Sequence, residues 1–192
     1  MIKKYAKRGS SIFKFNYATK PEDLARMPDN PLLRSVLMRA YTQDFTLIPQ
    51  YYNEFIEDIP ALEWTSCKFM DPNVDIPNEQ GVYAFSVEFS NGILPNNSYV
   101  MYIGKGGELG NNSSISKRYR SYFKYENAPH DRPKLHTLFN LWKDHLTYSF
   151  ARTPAGVSPG EVEKRLNNIL QPPFSYMDFT AEVRYDRRGA NI

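Results

Sequence analysis

Two short apolar runs constrain this chain more than anything else in it, because each sets a tyrosine beside a glycine: Gly81-Val82-Tyr83 and Tyr102-Ile103-Gly104. Tyr83, Phe85, Val87 and Phe89 recur with the two-residue period of a strand that turns one face to a core. Asn91-Gly92 and Pro95-Asn96-Asn97 then supply turn residues, and Tyr99 to Ile103 forms a second strand. The pair predicts a hairpin with a long connection. If its arms are antiparallel neighbours, the two phenols approach each other near its open end. Taken singly, Tyr83 and Tyr102 also read as ordinary strand aromatics.

The remaining pattern organises around this hairpin. Up to about residue 75 it is helical and punctuated by proline. Asn30-Pro31 opens a helix carrying Leu32, Leu33, Val36, Leu37, Ala40 and Tyr41, and Pro49 opens a shorter one with Tyr52, Phe55, Ile56 and Ile59 that ends near Pro60. Turn formers around Pro72, Asn73, Pro77 and Asn78 mark a boundary. Beyond the hairpin, Gly106 to Ser114 reads as a flexible loop, Ile115 to Tyr125 and Lys134 to Asp144 as helices, and Leu146 to Arg152 as a strand. Leu135, Leu138, Phe139 and Trp142 face inward in the second of those helices.

Ser158-Pro159-Gly160-Glu161 matches a capping box with proline at the first helical position, which gives Glu161 a structural role at the start of a last helix. Val162, Leu166, Ile169 and Leu170 make its apolar stripe. On a helical wheel Glu163 lies about 75° from the centre of that stripe and Glu161 about 125° away. Glu163 is the carboxylate nearer the core, although by spacing alone a lone glutamate reads as a solvated helix residue.

The 192 residues suffice for one compact domain with an appendage. A net charge of +3 is mild, but the cations are bunched: Lys3, Lys4, Lys7, Arg8 and Lys14; Lys117, Arg118, Arg120 and Lys124; Arg184, Arg187 and Arg188. Each cluster alone reads as solvated charge, whereas three in one small chain, interleaved with aromatics, lean toward a polyanion. Cys67 is the lone cysteine, which excludes an intramolecular disulfide and a cysteine-based zinc site within one chain. No apolar leader and no run of membrane-spanning length stands in the sequence, so a cytoplasmic protein without a membrane partner is expected. His130, His136 and His145 lack metal-ligand spacing, with His136 and His145 expected at a helix surface or end. Gly104-Lys105-Gly106 is no phosphate-binding P-loop, since Tyr99 and Gly106 stand where that motif requires glycine and Ser/Thr.

Taken in order, these pieces resemble the GIY-YIG nuclease superfamily, over about Ile76 to Met177. Ile76-Pro77-Asn78-Glu79-Gln80-Gly81-Val82-Tyr83 looks like the entry into the family's first strand and Tyr102-Ile103-Gly104-Lys105 like its second signature. Ser116-Lys117-Arg118-Tyr119-Arg120-Ser121-Tyr122-Phe123 is similar to the arginine helix of the excinuclease N-terminal domain. Glu163, followed by Leu166, Ile169 and Pro172-Pro173-Phe174, is similar to the metal-binding glutamate and its trailing proline. The signatures stand further apart than is usual in the family, the loop from Lys105 to Arg118 is extended, and Ser175 replaces a common asparagine.

The resemblance implies an α+β fold, with a small three-stranded antiparallel sheet flanked by helices. Its core would span 76–178, after a helical N-terminal extension (1–75) and before a basic C-terminal tail (179–192). It implies an endonuclease that hydrolyses DNA phosphodiester bonds with one magnesium or manganese ion per site. Glu163 would hold the metal, Arg118 a non-bridging phosphate oxygen, and Tyr83 would be the general base for water, with Lys105, Tyr102 and Tyr122 supporting its phenolate. Arg120 is a substitute for Arg118; Lys117, Arg120, Lys124 and Ser175 are expected to contact nucleic acid. Double-strand cleavage would require a homodimer or sequential nicks. Two competing readings remain: a nucleic-acid-binding or assembly protein that retains the fold without cleavage, and an interaction protein whose tyrosines are only core.

Overall fold

In the computed structural model, residues 45–89, 95, 97–126, 132–175 and 179–189 are described; the helix expected after Asn30 lies outside them. Two compact units are distinguished, one gathering residues 1–44 and 124–143, the other 45–123 and 144–192. Among the described residues no helix is long and apolar enough to cross a membrane.

The second unit is α+β. Its elements, in chain order, are α1 (Pro49–Phe55), β1 (Thr65–Lys68), β2 (Gly81–Phe89), β3 (Asn97–Gly106) and α2 (Ile115–Tyr122). After the segment assigned to the first unit come β4 (Leu146–Arg152), α4 (Pro159–Leu170) and α5 (Ala181–Gly189). The first unit contributes α3 (Pro133–Trp142), in which Leu135, Leu138 and Phe139 are buried as their spacing predicts. His136, expected at a helix surface, is buried there too, with the Asn140 amide against its ring.

The sheet has four antiparallel strands in the order β1-β4-β2-β3, not the three expected. The added strand is β1, within the stretch read as helical. Thr65-Ser66-Cys67-Lys68 has no apolar alternation, because an edge strand with mostly exposed side chains joins β4 through its backbone rather than by burial. Strand β2, by contrast, is central and buried on both faces from Gly81 to Val87. The predicted hairpin forms between β2 and β3, with a register shift between Phe85 and Ser86; most of its tip lies outside the described residues.

Register sorts the side chains onto two faces. Tyr83 stands opposite Gly104 and Phe150, and Phe85 opposite Tyr102 and Tyr148, so these share one face. Helix α2 covers that face. Its start comes so close that a Cβ on Gly106 would lie 2.4 Å from the Ile115 backbone, an approach only glycine permits. Ser114 caps α2 by accepting from the Lys117 N–H, and it donates to Asn78 Oδ1 at 2.7 Å.

On the opposite face Val82 and Ala151 pack against Val162 of α4, with Leu62, Val157 and Leu166 around them. Helix α4 is capped as its sequence predicts, Ser158 accepting from the Glu161 N–H, and it ends at Gln171 in the left-handed conformation before Pro172. The segment read as a basic tail instead contributes α5, and Phe179 and Val183 pack on Tyr51 of α1. Tyr51, rather than the exposed Tyr52 and Ile56, is thus the inward anchor of α1.

Candidate active site

Tyr83 extends from the central strand across the edge strand: a Cβ on Gly104 would lie 2.4 Å from its hydroxyl and 2.6 Å from Cζ. The glycine of the second signature therefore makes room for the phenol of the first. Tyr83 and Tyr122 hydroxyls hydrogen-bond to each other, and the Arg118 guanidinium lies close enough for its charge to act on both. Tyr102 lies beside both, its ring centroid 6.4 Å from each. Arg118 and Tyr122, one turn apart on α2, reach the same spot because residues four apart share a helix face.

The phenols of this cluster are buried, while Arg118 is partly exposed. Tyr83 has no exposed surface and Tyr122 1 %, so burial pushes both phenols well above their ordinary value. The Tyr102 phenol adds to the rise at Tyr83, while the hydrogen bond with Tyr122 and the charge of Arg118 oppose it. Burial works against the Arg118 charge, but Tyr83 and Tyr122 outweigh it and the guanidinium is held more firmly protonated. The cation beside Tyr83 is Arg118, not the expected Lys105. Sequence reasoning missed Tyr148, whose ring centroid lies 5.4 Å from that of Tyr83 and whose buried hydroxyl has no hydrogen-bond partner among the described residues. Its alternation with Phe150 along β4 was the available signal.

Lys105 stands opposite Val82 and so belongs to the other face. Its Nζ donates to Glu108 Oε2 at 2.6 Å, and the Ser158 hydroxyl donates to Glu108 Oε1 at 2.7 Å. Those hydrogen bonds from Lys105 and then Ser158 bring the Glu108 carboxyl down to about 2. Glu108, hidden in a stretch that reads as flexible loop, went unnoticed; its only signal was the three-residue spacing from Lys105. The pair abuts Gly160, where a Cβ would meet Glu108 Oε2 at 2.4 Å and Lys105 Nζ at 2.6 Å. Glu163 stands one turn further along α4, half-buried where Glu161 is exposed, as the wheel predicts.

The expected catalytic residues thus fall into two groups. Tyr83, Tyr102, Arg118 and Tyr122 gather on one face, while Lys105 and the helix bearing Glu163 lie on the other, with β3 between them. Of the residues expected to contact nucleic acid, Lys117 and Arg120 are exposed on α2, and Lys124 belongs to the first unit. Ser175 is fully buried: its hydroxyl accepts from the Ile103 N–H at 3.1 Å, and Phe174 N–H donates to Met101, so this segment covers the outer edge of β3. Among the described residues no group of three or more histidine, cysteine, aspartate or glutamate side chains could hold a metal. A half-buried single carboxylate such as Glu163 still fits a hard cation whose other positions are filled by water and phosphate oxygens. No family model, curated protein or solved structure matches the chain.

Proposed function

We propose that the chain is a divalent-metal-dependent endonuclease acting on DNA through a GIY-YIG-type site. The observation that carries this reading is the junction of Arg118 with the Tyr83–Tyr122 pair beside Tyr102, since it joins both tyrosine signatures to the arginine helix. Arg118 orients a non-bridging phosphate oxygen, to which its planar fork of donors is suited. Tyr83 acts as general base in its phenolate form: its own proton passes to solvent when water gains access, the hydrogen bond with Tyr122 and the Arg118 charge favour that form, and the phenolate oxygen then takes the proton of the attacking water. Glu163 would hold magnesium or manganese, which supplies neutralisation of the charge that develops on phosphate and leaving oxygen. Lys105, released from Glu108, adds a second positive charge.

The test is incubation of plasmid and branched DNA with magnesium or manganese. Cleavage is expected from the wild type, with Arg118→Ala and Glu163→Ala each slower by about 10²–10³-fold, the loss typical of one charge-stabilising group. Wild-type rates in either variant remove that residue from the mechanism. A second reading, a nucleic-acid-binding protein that keeps the fold without cleavage, draws on the complete burial of Tyr83 and of Ser175. It predicts binding with no cleavage under any divalent ion.

A further inference from the structure

Arg118 turns inward from α2, whereas Lys117 and Arg120 of the same helix turn into a cavity of about 570 Å³ that Ser116, Arg152, Asp75 and Glu79 also line. That volume falls within the roughly 300–1,000 Å³ of ligand sites. Its charges are unequally engaged. Among the described residues, Arg152 Nε is paired with Glu79 Oε2 at 2.5 Å, the Lys117 ammonium donates to the Asn112 carbonyl, and the Arg120 guanidinium has neither ion pair nor hydrogen bond. Asp75 is the remaining carboxylate, exposed at the wall. No aromatic side chain lines the space, so it offers nothing for a base to stack on. What it offers is a guanidinium and an ammonium positioned for phosphate oxygens.

We infer that this cavity is a second subsite, which holds the phosphodiester backbone of a nucleic acid away from the scissile linkage through Lys117 and Arg120, with Arg152 restrained by Glu79. The inference rests on the proposed reading for the class of ligand, but not on cleavage. Because α2 carries Arg118 on its inner side and this pair on its outer side, one helix would engage both the reacting phosphate and its neighbours. Backbone contacts without base contacts fix position and confer no sequence preference.

The experiment measures the binding of a fluorescein-labelled DNA duplex by anisotropy in EDTA, over a range of salt. Each lost phosphate contact lowers the slope of log K against log salt by about 0.9, so Lys117→Ala/Arg120→Ala is expected to flatten it by about 1.8. Glu79→Gln frees Arg152 and is expected to tighten binding and steepen the slope by about 0.9. An unchanged slope in the double variant, with wild-type circular dichroism, overturns the inference; so does a Glu79→Gln protein that binds no more tightly. Cleavage by wild type with the double variant binding normally sinks the subsite alone. Binding that depends on Lys117 and Arg120, with no cleavage under any divalent ion, sinks the nuclease reading and leaves the subsite standing.

Discussion

The two faces of strand β3 handle polar groups in opposite ways. On one, phenols are buried beneath α2 with Arg118 beside them, and the Tyr83 and Tyr122 hydroxyls are spent on each other. On the other, Lys105 and Glu108 are each about a third exposed and are held by tips of flexible side chains against the first turn of α4. The difference separates positioning from access. The buried face fixes geometry but suppresses ionisation, since removing a phenol from water disfavours phenolate. The wet face keeps its charges exchangeable, because an ion pair at this exposure is worth only about 0–1 kcal/mol and a phosphate can compete for it. The proposed chemistry needs both properties at the β3 edge.

The sharpest way to break the comparison is Tyr83→Phe, which keeps the ring and removes the hydroxyl. Under the proposed reading, cleavage falls by about 10²–10⁴-fold, the range of a general base, while DNA binding in EDTA is retained. An undiminished rate would make the phenol cluster pure packing. Next in size is Gly104→Ala. The new methyl would enter the Tyr83 ring, which is wedged among Phe85, Tyr122 and Tyr148, at a cost of about 1–3 kcal/mol for overpacking. Urea denaturation reads this directly; a loss under 0.5 kcal/mol, roughly that of an ordinary surface change, would mean the ring is free to move.

Much of the secondary structure was legible in the sequence, the division between the two faces was not, and the reasons for the exceptions are physical. Strand β4 and the start of α4 followed their patterns closely, because alternation and a Ser-Pro cap act locally. Tyr83, Arg118 and Tyr122 were picked out by the family resemblance, and they do meet. Strand β1 was missed because exposed edge residues carry no burial pattern, and α1 turned Tyr51 inward because Phe179 and Val183 return to it from far along the chain. The placement of Lys105 was misjudged for a simpler reason. Adjacent strand residues point to opposite faces, so Lys105 could not share the side of the sheet that Gly104 gives to Tyr83.

Glu108→Gln sharpens the wet side. The Glu108 carboxyl is held at about 2, below its ordinary 4.5, so its contribution to stability is complete above pH 4.5 and is lost as pH falls toward 2. The variant should lack that acid-dependent part, roughly 0.5–1 kcal/mol for a pair screened by solvent, and its stability should differ from wild type at pH 6 but converge near pH 2. Parallel pH curves for the two proteins would show that Glu108 is not the group that titrates there.

The smallest effect is expected from Gly160→Ala, the counterpart of Gly104→Ala across β3. By distance alone the two look alike, since each Cβ would lie 2.4 Å from an oxygen. At Gly104 that oxygen is anchored by a buried ring; at Gly160 it ends the flexible side chain of Glu108, which can swing aside. Displacing the Lys105–Glu108 pair costs roughly 0.2–1 kcal/mol, and alanine in a helix regains about 1 kcal/mol over glycine. The gain offsets the cost, so thermal unfolding should stay within about 1 kcal/mol of wild type and show no loss of stability, with the Lys105 amine more reactive toward acylating reagents. If Gly160→Ala instead destabilised the protein as much as Gly104→Ala, the charged side would be as rigid as the phenolic one, and a phosphate could not displace Glu108 at so small a cost.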